Sequence, residues 1–340
     1  MTAVLEVNDL KTSFRTDDGI VKAVDGVSFS VEKGKTLGIV GESGSGKSVT
    51  CLTVMGLNDR RKATSTGSVL LDGKEILHAP SGELRGIRGT RMAMIFQDPM
   101  TSLNPVKSIG WQLAEAVLVH NDVTKKVAHD RGIELLKQVG IPRAEQRVDD
   151  YPHQFSGGMR QRVMIAMALI NNPDILIADE PTTALDVTTQ AQILRVMQKL
   201  QDEYHMAIIM ITHDLGVIAE IADDVVVMYA GKVVEHANVE TLFSDAQHPY
   251  TWGLLGSLPR LNTDADRLLQ IPGQPPSLLR PPPGCAFHPR CEYAMDRCRA
   301  EVPPLYTWGG GEHVHRCLLD DATRQEIWAG KKAAMKVEAA

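Results

Sequence analysis

Residues 41–48, GESGSGKS, combine the residue types that bind a polyphosphate. The glycines of this loop let main-chain N–H groups turn toward phosphate oxygens. Lys47 can reach the β and γ phosphates, and Ser48 can supply a hydroxyl ligand to Mg²⁺. LGIV before the loop and VTCLTVMGL after it give the strand and helix that this motif requires, an ordinary glycine-rich turn being the alternative. We therefore expect ATP and Mg²⁺ to contact Gly41, Ser43, Gly44, Ser45, Gly46, Lys47, Ser48 and Val49.

Two acids end the apolar segment ILIADE at residues 175–180. Asp179 is placed to hold Mg²⁺ through water. Glu180 is our candidate general base, because a carboxylate beside a bound polyphosphate attracts the proton of the attacking water. The alternative is an acid that caps the next helix near Thr182.

Four further features are ambiguous when each is taken alone. Gln97 ends RMAMIFQ and could touch both Mg²⁺ and the attacking water, although such a glutamine is usually a solvated residue. His213 follows AIIMIT, where a lone histidine is more often a core residue than a phosphate contact. Asp186 in TTALD reads as a helix cap. FSGGM at 155–159 opens a second glycine-rich helix start, far from the first.

The order of these features resembles the nucleotide-binding subunits of ATP-binding cassette (ABC) transporters, over about residues 4–260. The resemblance implies that Ser156, Gly157 and Gly158 bind the γ-phosphate of ATP held by the opposite subunit. Their helix start would then be an anion site that faces a partner.

The same resemblance implies roles for residues outside the two loops. Gln97 would couple the site to the transmembrane partner and Asp186 would communicate across the dimer. His213 would contact the γ-phosphate. Phe14 would stack on adenine, although it could equally be an inward-facing strand residue.

The glycine signature departs from the usual family pattern at one position. The family signature usually ends in glutamine, but here it ends in Met159, which lacks the amide's hydrogen bonds.

FSGGMRQRV, HPYTWGLLGSLP and the cysteine-bearing end resemble the dipeptide and oligopeptide importer ATPases. That resemblance implies a sister ATPase subunit in a heterodimer, two permease subunits and an extracytoplasmic binding protein.

The last part of the chain holds four clustered cysteines, Cys285, Cys291, Cys298 and Cys317. Their spacing is not that of a zinc ribbon, yet four thiols in a reducing compartment favour a metal over disulfides. Four thiolates are the usual ligands of a [4Fe–4S] cluster, which the importer resemblance also implies; Zn²⁺ and no metal are the alternatives. His288, His313 or His315 could replace a cysteine, although we expect solvated loop histidines.

The elements that position these residues read as a β-rich opening followed by alternating strands and helices, which predicts an α/β fold. We expect a P-loop ABC domain over 1–260: a β-rich N-terminal subdomain, a RecA-like core and a helical subdomain at about 99–165. Gly34 and Asp72-Gly73 suggest hairpins. A proline-rich linker leads to a small metal-bearing extension over 261–340, whose final KKAAMKVEAA should fray.

Composition excludes some classes of protein. A net charge of −6 without a basic stripe disfavours nucleic acid as a partner. The longest apolar run, VMIAMALI, is too short to span a bilayer, and the N-terminus lacks a secretion signal. We therefore expect a protein that stays in the cytoplasm, and the importer resemblance implies a peripheral position on the cytoplasmic face of the inner membrane.

The importer resemblance implies an ATPase subunit that drives peptide import through a membrane permease. Import of nickel or another small solute by the same subclass is the nearest alternative. A soluble ATP-dependent clamp would need split or tandem cassettes, and an exporter would lack the HPY segment and cysteine tail. A sensor without turnover conflicts with Glu180.

Overall fold

The computed structural model describes residues 3–97, 102–183, 185–258 and 271–337. The predicted start of the helical subdomain near residue 99 and the predicted boundary at 260 lie outside these residues. The strands in the described ranges are β1 (Ala3–Thr16), β2 (Gly19–Glu32), β3 (Thr36–Val40), β4 (Ala63–Leu71), β5 (Lys74–Glu75), β6 (Met92–Ile95), β7 (Ile175–Asp179), β8 (Ala207–Thr212), β9 (Asp224–Tyr229), β10 (Lys232–Asn238), β11 (Tyr306–Thr307) and β12 (Val314–His315).

Helices and strands alternate from Gly157 to Tyr229, as the sequence predicts. The helices of the same described ranges are α1 (Lys47–Val54), α2 (Ser81–Ile87), α3 (Ile109–Leu118), α4 (Lys125–Gln138), α5 (Ala144–Arg147), α6 (Gly157–Leu169), α7 (Val187–Tyr204), α8 (Leu215–Ile221), α9 (Val239–Ser244), α10 (Pro249–Gly256), α11 (Asp296–Ala300) and α12 (Asp321–Val337). Short 3₁₀ turns cover Pro152–Gln154 and His288–Arg290. No helix in the described parts of the chain is long and apolar enough to cross a bilayer.

The chain forms two compact units. The first comprises residues 1–4, 31–36 and 78–211, and the second comprises 5–30, 37–77 and 212–340. In the first unit, β6, β7 and β8 are parallel neighbours, with Met92 opposite Ile175 and Ile175 opposite Ala207. All residues of β7 and β8 are buried, which is why both strands read as continuous apolar runs.

The helical part of the first unit rests on α3 and α4. Each helix begins at a hydroxyl cap, where Ser108 accepts from the Trp111 N–H and Thr124 accepts from the Val127 N–H. The two helices pack closely: a β-carbon at Gly132 of α4 would lie 3.2 Å from the Leu113 Cβ of α3. The predicted helical subdomain at about 99–165 thus includes two packed helices.

The second unit contains a four-stranded antiparallel sheet in the order β2-β1-β4-β5. Asp72 and Gly73, both with positive φ, join β4 to β5, which confirms the predicted hairpin. The hairpin predicted at Gly34 is wrong, because β3 pairs in parallel with β9 and not with β2. Every residue of β3 is buried, and such a strand needs neighbours that cover both faces.

The cysteine-bearing end belongs to this second unit. β12 pairs with β10, and β11 pairs with β12, so the tail extends the sheet that contains β9. The expected fraying from residue 331 is wrong as far as Val337, because α12 continues to that residue. Trp328 anchors α12: its side chain is buried, stacks on Trp252 and donates from Nε1 to the Ser244 carbonyl at 2.9 Å.

The first turn of α6 packs against the first turn of α7 within the first unit. A β-carbon at Gly158 would lie 2.7 Å from Thr189 Cγ2, whereas a β-carbon at Gly157 would meet nothing within 4 Å. Thr189 is itself fixed, since its Oγ1 donates to Asp186 at 2.7 Å. The second glycine of FSGGM is therefore required by packing and the first is not.

We expect Gly158→Ala to destabilise the protein by about 1–3 kcal/mol, because the added methyl group overpacks this contact. Urea unfolding of the full chain measures the loss. Gly157→Ala is the matched control and should be neutral or slightly stabilising. Adding Thr189→Ser to Gly158→Ala removes the opposing methyl group and should restore stability; no recovery would contradict the packing explanation.

Candidate functional site

The phosphate loop lies between the end of β3 and the start of α1, as predicted. Its bends need glycine, because Gly41 and Gly46 have φ of 150° and 103°. Close packing adds to this need. A β-carbon at Gly41 would lie 2.2 Å from the Met228 carbonyl oxygen, and one at Gly46 would lie 2.4 Å from that of Ala23. No larger residue fits either position.

Lys47 points its ammonium group into the loop. The side chain is buried, and Nζ donates to the carbonyl oxygens of Gly41 at 2.7 Å and Glu42 at 2.9 Å. The Ser45 hydroxyl is buried with no hydrogen-bond partner. Ser43 and Gly44 are exposed at the mouth of the loop. A buried cation and an orphaned donor beside an open mouth fit an anionic ligand such as a triphosphate.

Glu42 is held by two residues from distant parts of the chain, Tyr250 and Arg290, whose contact with this loop was not predicted. Its N–H donates to Tyr250 Oη at 2.7 Å. Its carboxylate accepts two hydrogen bonds from Arg290, at 2.6 and 3.0 Å. Tyr250 belongs to the HPY segment and Arg290 to the cysteine tail. No spacing signal could have shown a contact between residues 248 positions apart.

The structure brings Gln97 and Glu180 together in the first unit. Gln97 Nε2 donates to Glu180 Oε2 at 3.1 Å, and Thr183 Oγ1 donates to the same oxygen at 3.0 Å. Glu180 has a positive φ of 47°, held by a hydrogen bond from its N–H to the Ile211 carbonyl at 2.9 Å. Strained backbone of this kind is concentrated at functional sites. Asp179 is buried at the end of β7.

Asp186 caps a helix in the structure. Its carboxylate accepts from the N–H of Thr189 at 2.9 Å and from the Thr189 hydroxyl, and these bonds lower the pKa of Asp186. The residue therefore stabilises the start of α7, where its cap geometry agrees with the sequence pattern.

His213 and Phe14 lie in the second unit. His213 is exposed between β8 and Asp214, the cap of α8, so it is not the core histidine that its position also allowed. Phe14 is half-buried in β1, opposite Ala63 of β4.

The glycine signature begins α6 as expected. Ser156 is the cap, accepting from the Met159 N–H at 3.4 Å, and Ser156 and Gly157 are exposed. Met159 Sδ accepts a hydrogen bond from Arg147 Nη1 at 3.4 Å. The Arg147 guanidinium also lies over the Phe155 ring, 4.4 Å from its centre. The methionine thus packs into an arginine-centred contact at the base of the signature.

The four cysteines of the tail line one cavity with His248 and Phe287. Burial raises the pKa of Cys291 to about 11 and that of Cys317 to about 12. Among the residues that the structure describes, no three His, Cys, Asp or Glu side chains are placed to hold one metal ion. The shared feature of the four cysteines in the structure is the cavity that they line.

Two of the tail histidines are not the solvated residues that we expected. His313 is buried and its Nε2 lies 2.9 Å from the carboxylate of Glu235. His315 is 1% exposed, and burial lowers its pKa to about 3. Both lie on or beside β12, where strand pairing with β10 removes them from water. His288 Nδ1 lies 2.9 Å from the Cys285 carbonyl oxygen.

Comparison with known proteins agrees with this arrangement. Residues 24–183 match the ABC transporter family, and residues 234–298 match the oligopeptide/dipeptide transporter C-terminal region. An ATP-binding cassette solved as a dimer bound to ADP and Pi covers 69% of the chain and 98% of its own length, with 27% identity and a TM-score of 0.62. An ABC transporter subunit of Clostridium perfringens is 29% identical, with a TM-score of 0.61 over 72% of this chain and 92% of its own.

Relatives that match over most of their own length have a higher sequence identity with this chain. The dipeptide transport ATP-binding protein DppD of Lactococcus lactis is 53% identical, covering 93% of this chain and 91% of the relative. The oligopeptide transport ATP-binding protein OppD of Bacillus subtilis is 50% identical, covering 99% and 95%. The chain belongs to this family and is the ATP-hydrolysing subunit of an ABC importer of the oligopeptide/dipeptide type.

Proposed function

We propose that residues 41–49 hold the triphosphate of ATP, with the Lys47 ammonium on the β and γ phosphates. The buried ammonium inside a glycine loop is the observation that carries this assignment. Ser48, Gln97 and Asp179 would hold Mg²⁺, which neutralises phosphate charge when bound. Phe14 would stack on adenine.

Glu180 would be the general base for the attacking water. Two donors, Gln97 Nε2 and Thr183 Oγ1, orient one of its carboxylate oxygens. A base held in this way loses little freedom when the water binds. Gln97 would orient that water as well, and His213 would contact the γ-phosphate.

The start of α6 would act on a second subunit. Ser156, Gly157 and Gly158 present main-chain N–H groups at an exposed helix start, which favours an anion. ATP held by the opposite subunit would supply that anion, and Asp186 would communicate across the same boundary. The related cassette solved as a dimer supports this arrangement. We expect the partner to be a sister ATPase in a heterodimer.

The cargo would be peptides, as the names of the relatives indicate for those proteins. Two permease subunits would form the path through the membrane, and an extracytoplasmic binding protein would deliver the cargo. The chain would lie on the cytoplasmic face of the membrane as a peripheral subunit. Specificity would then reside in its partners.

A groove in the first unit is our candidate for permease docking. It measures about 540 Å³ and is lined by residues of α3 and α4 and by the segments before them and near Asp149. Trp111 and Val119 are apolar side chains of this groove and are 43% and 70% exposed. Lys107 lies over the Trp111 ring, with Nζ 4.4 Å from its centre. A cytoplasmic segment of the permease would cover these apolar groups.

The tail would hold a [4Fe–4S] cluster on Cys285, Cys291, Cys298 and Cys317. The donor set fits: four thiols without a disulfide share one cavity. We favour a cluster over zinc because the spacing of the cysteines is not that of a zinc ribbon. Ligation would add folding energy to the tail.

We expect Glu180→Gln to reduce steady-state ATP hydrolysis by the assembled transporter at least about a hundredfold, because the amide cannot accept the water's proton. ATP binding should persist, and ATP-bound dimers should accumulate. Glu134→Gln, an exposed acid on α4, is the control and should hydrolyse normally. Undiminished turnover in Glu180→Gln would reject the base assignment.

We expect Trp111→Ala to weaken co-purification with the permease, because it removes the largest exposed apolar group of the groove. ATP binding by the isolated full chain should be unchanged. Ile20→Ala, which removes an exposed apolar side chain of β2, is the control. Normal recovery of the permease with Trp111→Ala would place docking elsewhere.

We expect anaerobically purified protein to contain iron and sulfide and to show a broad visible absorbance band. Cys291→Ser should lose both, whereas Cys51→Ala, at a buried cysteine of α1, should keep them. One equivalent of zinc without iron would overturn the cluster assignment.

A further inference from the structure

The cysteine tail reaches into the phosphate loop through one buried arginine. Arg290 has a side chain that is 4% exposed, and its two terminal nitrogens donate to the two carboxylate oxygens of Glu42 at 2.6 and 3.0 Å. Paired hydrogen bonds of this type fix both the position and the direction of the carboxylate. Glu42 is the second residue of the GESGSGKS loop.

Arg290 is itself held on several sides. Its Nε donates to the Pro272 carbonyl at 2.8 Å and Nη2 donates to the Ile271 carbonyl at 3.2 Å. Nη1 also reaches the Tyr229 hydroxyl at 3.4 Å. The guanidinium therefore has a fixed place independent of Glu42, and the loop is aligned to it.

The N–H, the carboxylate and the carbonyl of Glu42 each make a hydrogen bond. Its N–H donates to Tyr250 Oη, its carboxylate accepts from Arg290, and its carbonyl accepts from Lys47 Nζ. The last contact matters for chemistry, because it holds the ammonium that we assign to the β and γ phosphates. A shift of Glu42 would move a carbonyl oxygen that accepts from this ammonium.

Other residues of the tail hold Arg290 and Tyr250 in place. Phe287 packs against Tyr229 and Tyr250, with ring centres 5.2 and 5.4 Å apart. Arg290 lies between Cys285 and Cys291, and the intervening turn is closed by hydrogen bonds from the N–H of His288 to the Cys285 carbonyl and from the N–H of Arg290 to the Phe287 carbonyl. The arrangement of the cysteines and the place of the guanidinium are thus set by the same turn.

We propose that Arg290 is a positioning residue of the nucleotide site: through Glu42 it holds the phosphate loop, and with it Lys47, in the conformation that binds ATP. The tail is in this way part of the machinery for nucleotide affinity. The proposal rests on the assignment of residues 41–49 to the triphosphate.

A double-mutant cycle tests the proposal with the full chain. Arg290→Gln should raise the dissociation constant for Mg²⁺–ATP by roughly fivefold to tenfold, the size of a typical coupling between two sites. In a Glu42→Gln background the same change should have an effect of less than about twofold, because the charged carboxylate that accepts both hydrogen bonds from Arg290 is already lost. Equal losses in both backgrounds would show that Arg290 does not act through Glu42 and would overturn the proposal.

Kinetics of the assembled transporter separate positioning from general damage. Arg290→Gln should raise the KM for ATP and leave kcat within about twofold, since the groups that perform hydrolysis are untouched. Arg290→Lys should recover part of the affinity because it keeps the charge. Arg297→Gln, which breaks an exposed pair with Glu301 in the same tail, is the matched control and should change neither constant.

Amide hydrogen exchange tests the positioning role of Arg290 if Arg290→Gln unfolds the tail. Glu42→Gln keeps the bonds of Arg290 to Pro272 and Ile271, and it should still speed amide hydrogen exchange across residues 41–48. Unchanged exchange would overturn the proposal. Lys47→Ala distinguishes the underlying assignment: if it leaves ATP binding intact, residues 41–49 are not the triphosphate site.

Discussion

A buried ammonium group is the constraint on which the nucleotide site depends. Removing a charge from water is costly unless hydrogen bonds and opposite charge compensate it. Two of the acceptors that the structure supplies to Lys47 are the carbonyl oxygens of Gly41 and Glu42. A triphosphate at the mouth of the loop is the anion that the motif predicts, and it would add opposite charge beside the ammonium. The glycines are required because the loop must bend this closely around the ammonium.

Glu180, the residue that we propose as the catalytic base, is held by different contacts. Glu180 follows a fully buried parallel strand, and its positive φ is imposed by the hydrogen bond to Ile211 at the end of the neighbouring strand. Parallel pairing of β7 with β8 fixes the register that makes this bond. The sheet therefore fixes the backbone of the base, while Gln97 and Thr183 fix its side chain.

Local signals explain what could be predicted from the sequence. The glycine loop, the helix start at residues 156–158 and the Asp72-Gly73 turn are decided by neighbours within a few residues, and all three agree with the structure. The predicted hairpin at Gly34 is wrong because β3 is buried on both faces and pairs with β9. A turn residue such as Gly34 does not indicate which strand its neighbour will pair with. The contacts of Glu42 with Tyr250 and Arg290 depend on folding across most of the chain. No pattern in the sequence contains them.

The tail also shows how a segment with few apolar residues is incorporated into a core. Glu235 of β10 is fully buried, and its carboxylate accepts from the N–H groups of Gln247 and His248 and lies 2.9 Å from His313 Nε2. One buried acid thus joins β10, the HPY segment and the tail. Because His248 begins the turn that places Tyr250, this acid also determines where the Tyr250 hydroxyl meets Glu42. The path from the tail to the phosphate loop is therefore built from buried polar contacts, which are costly to break singly.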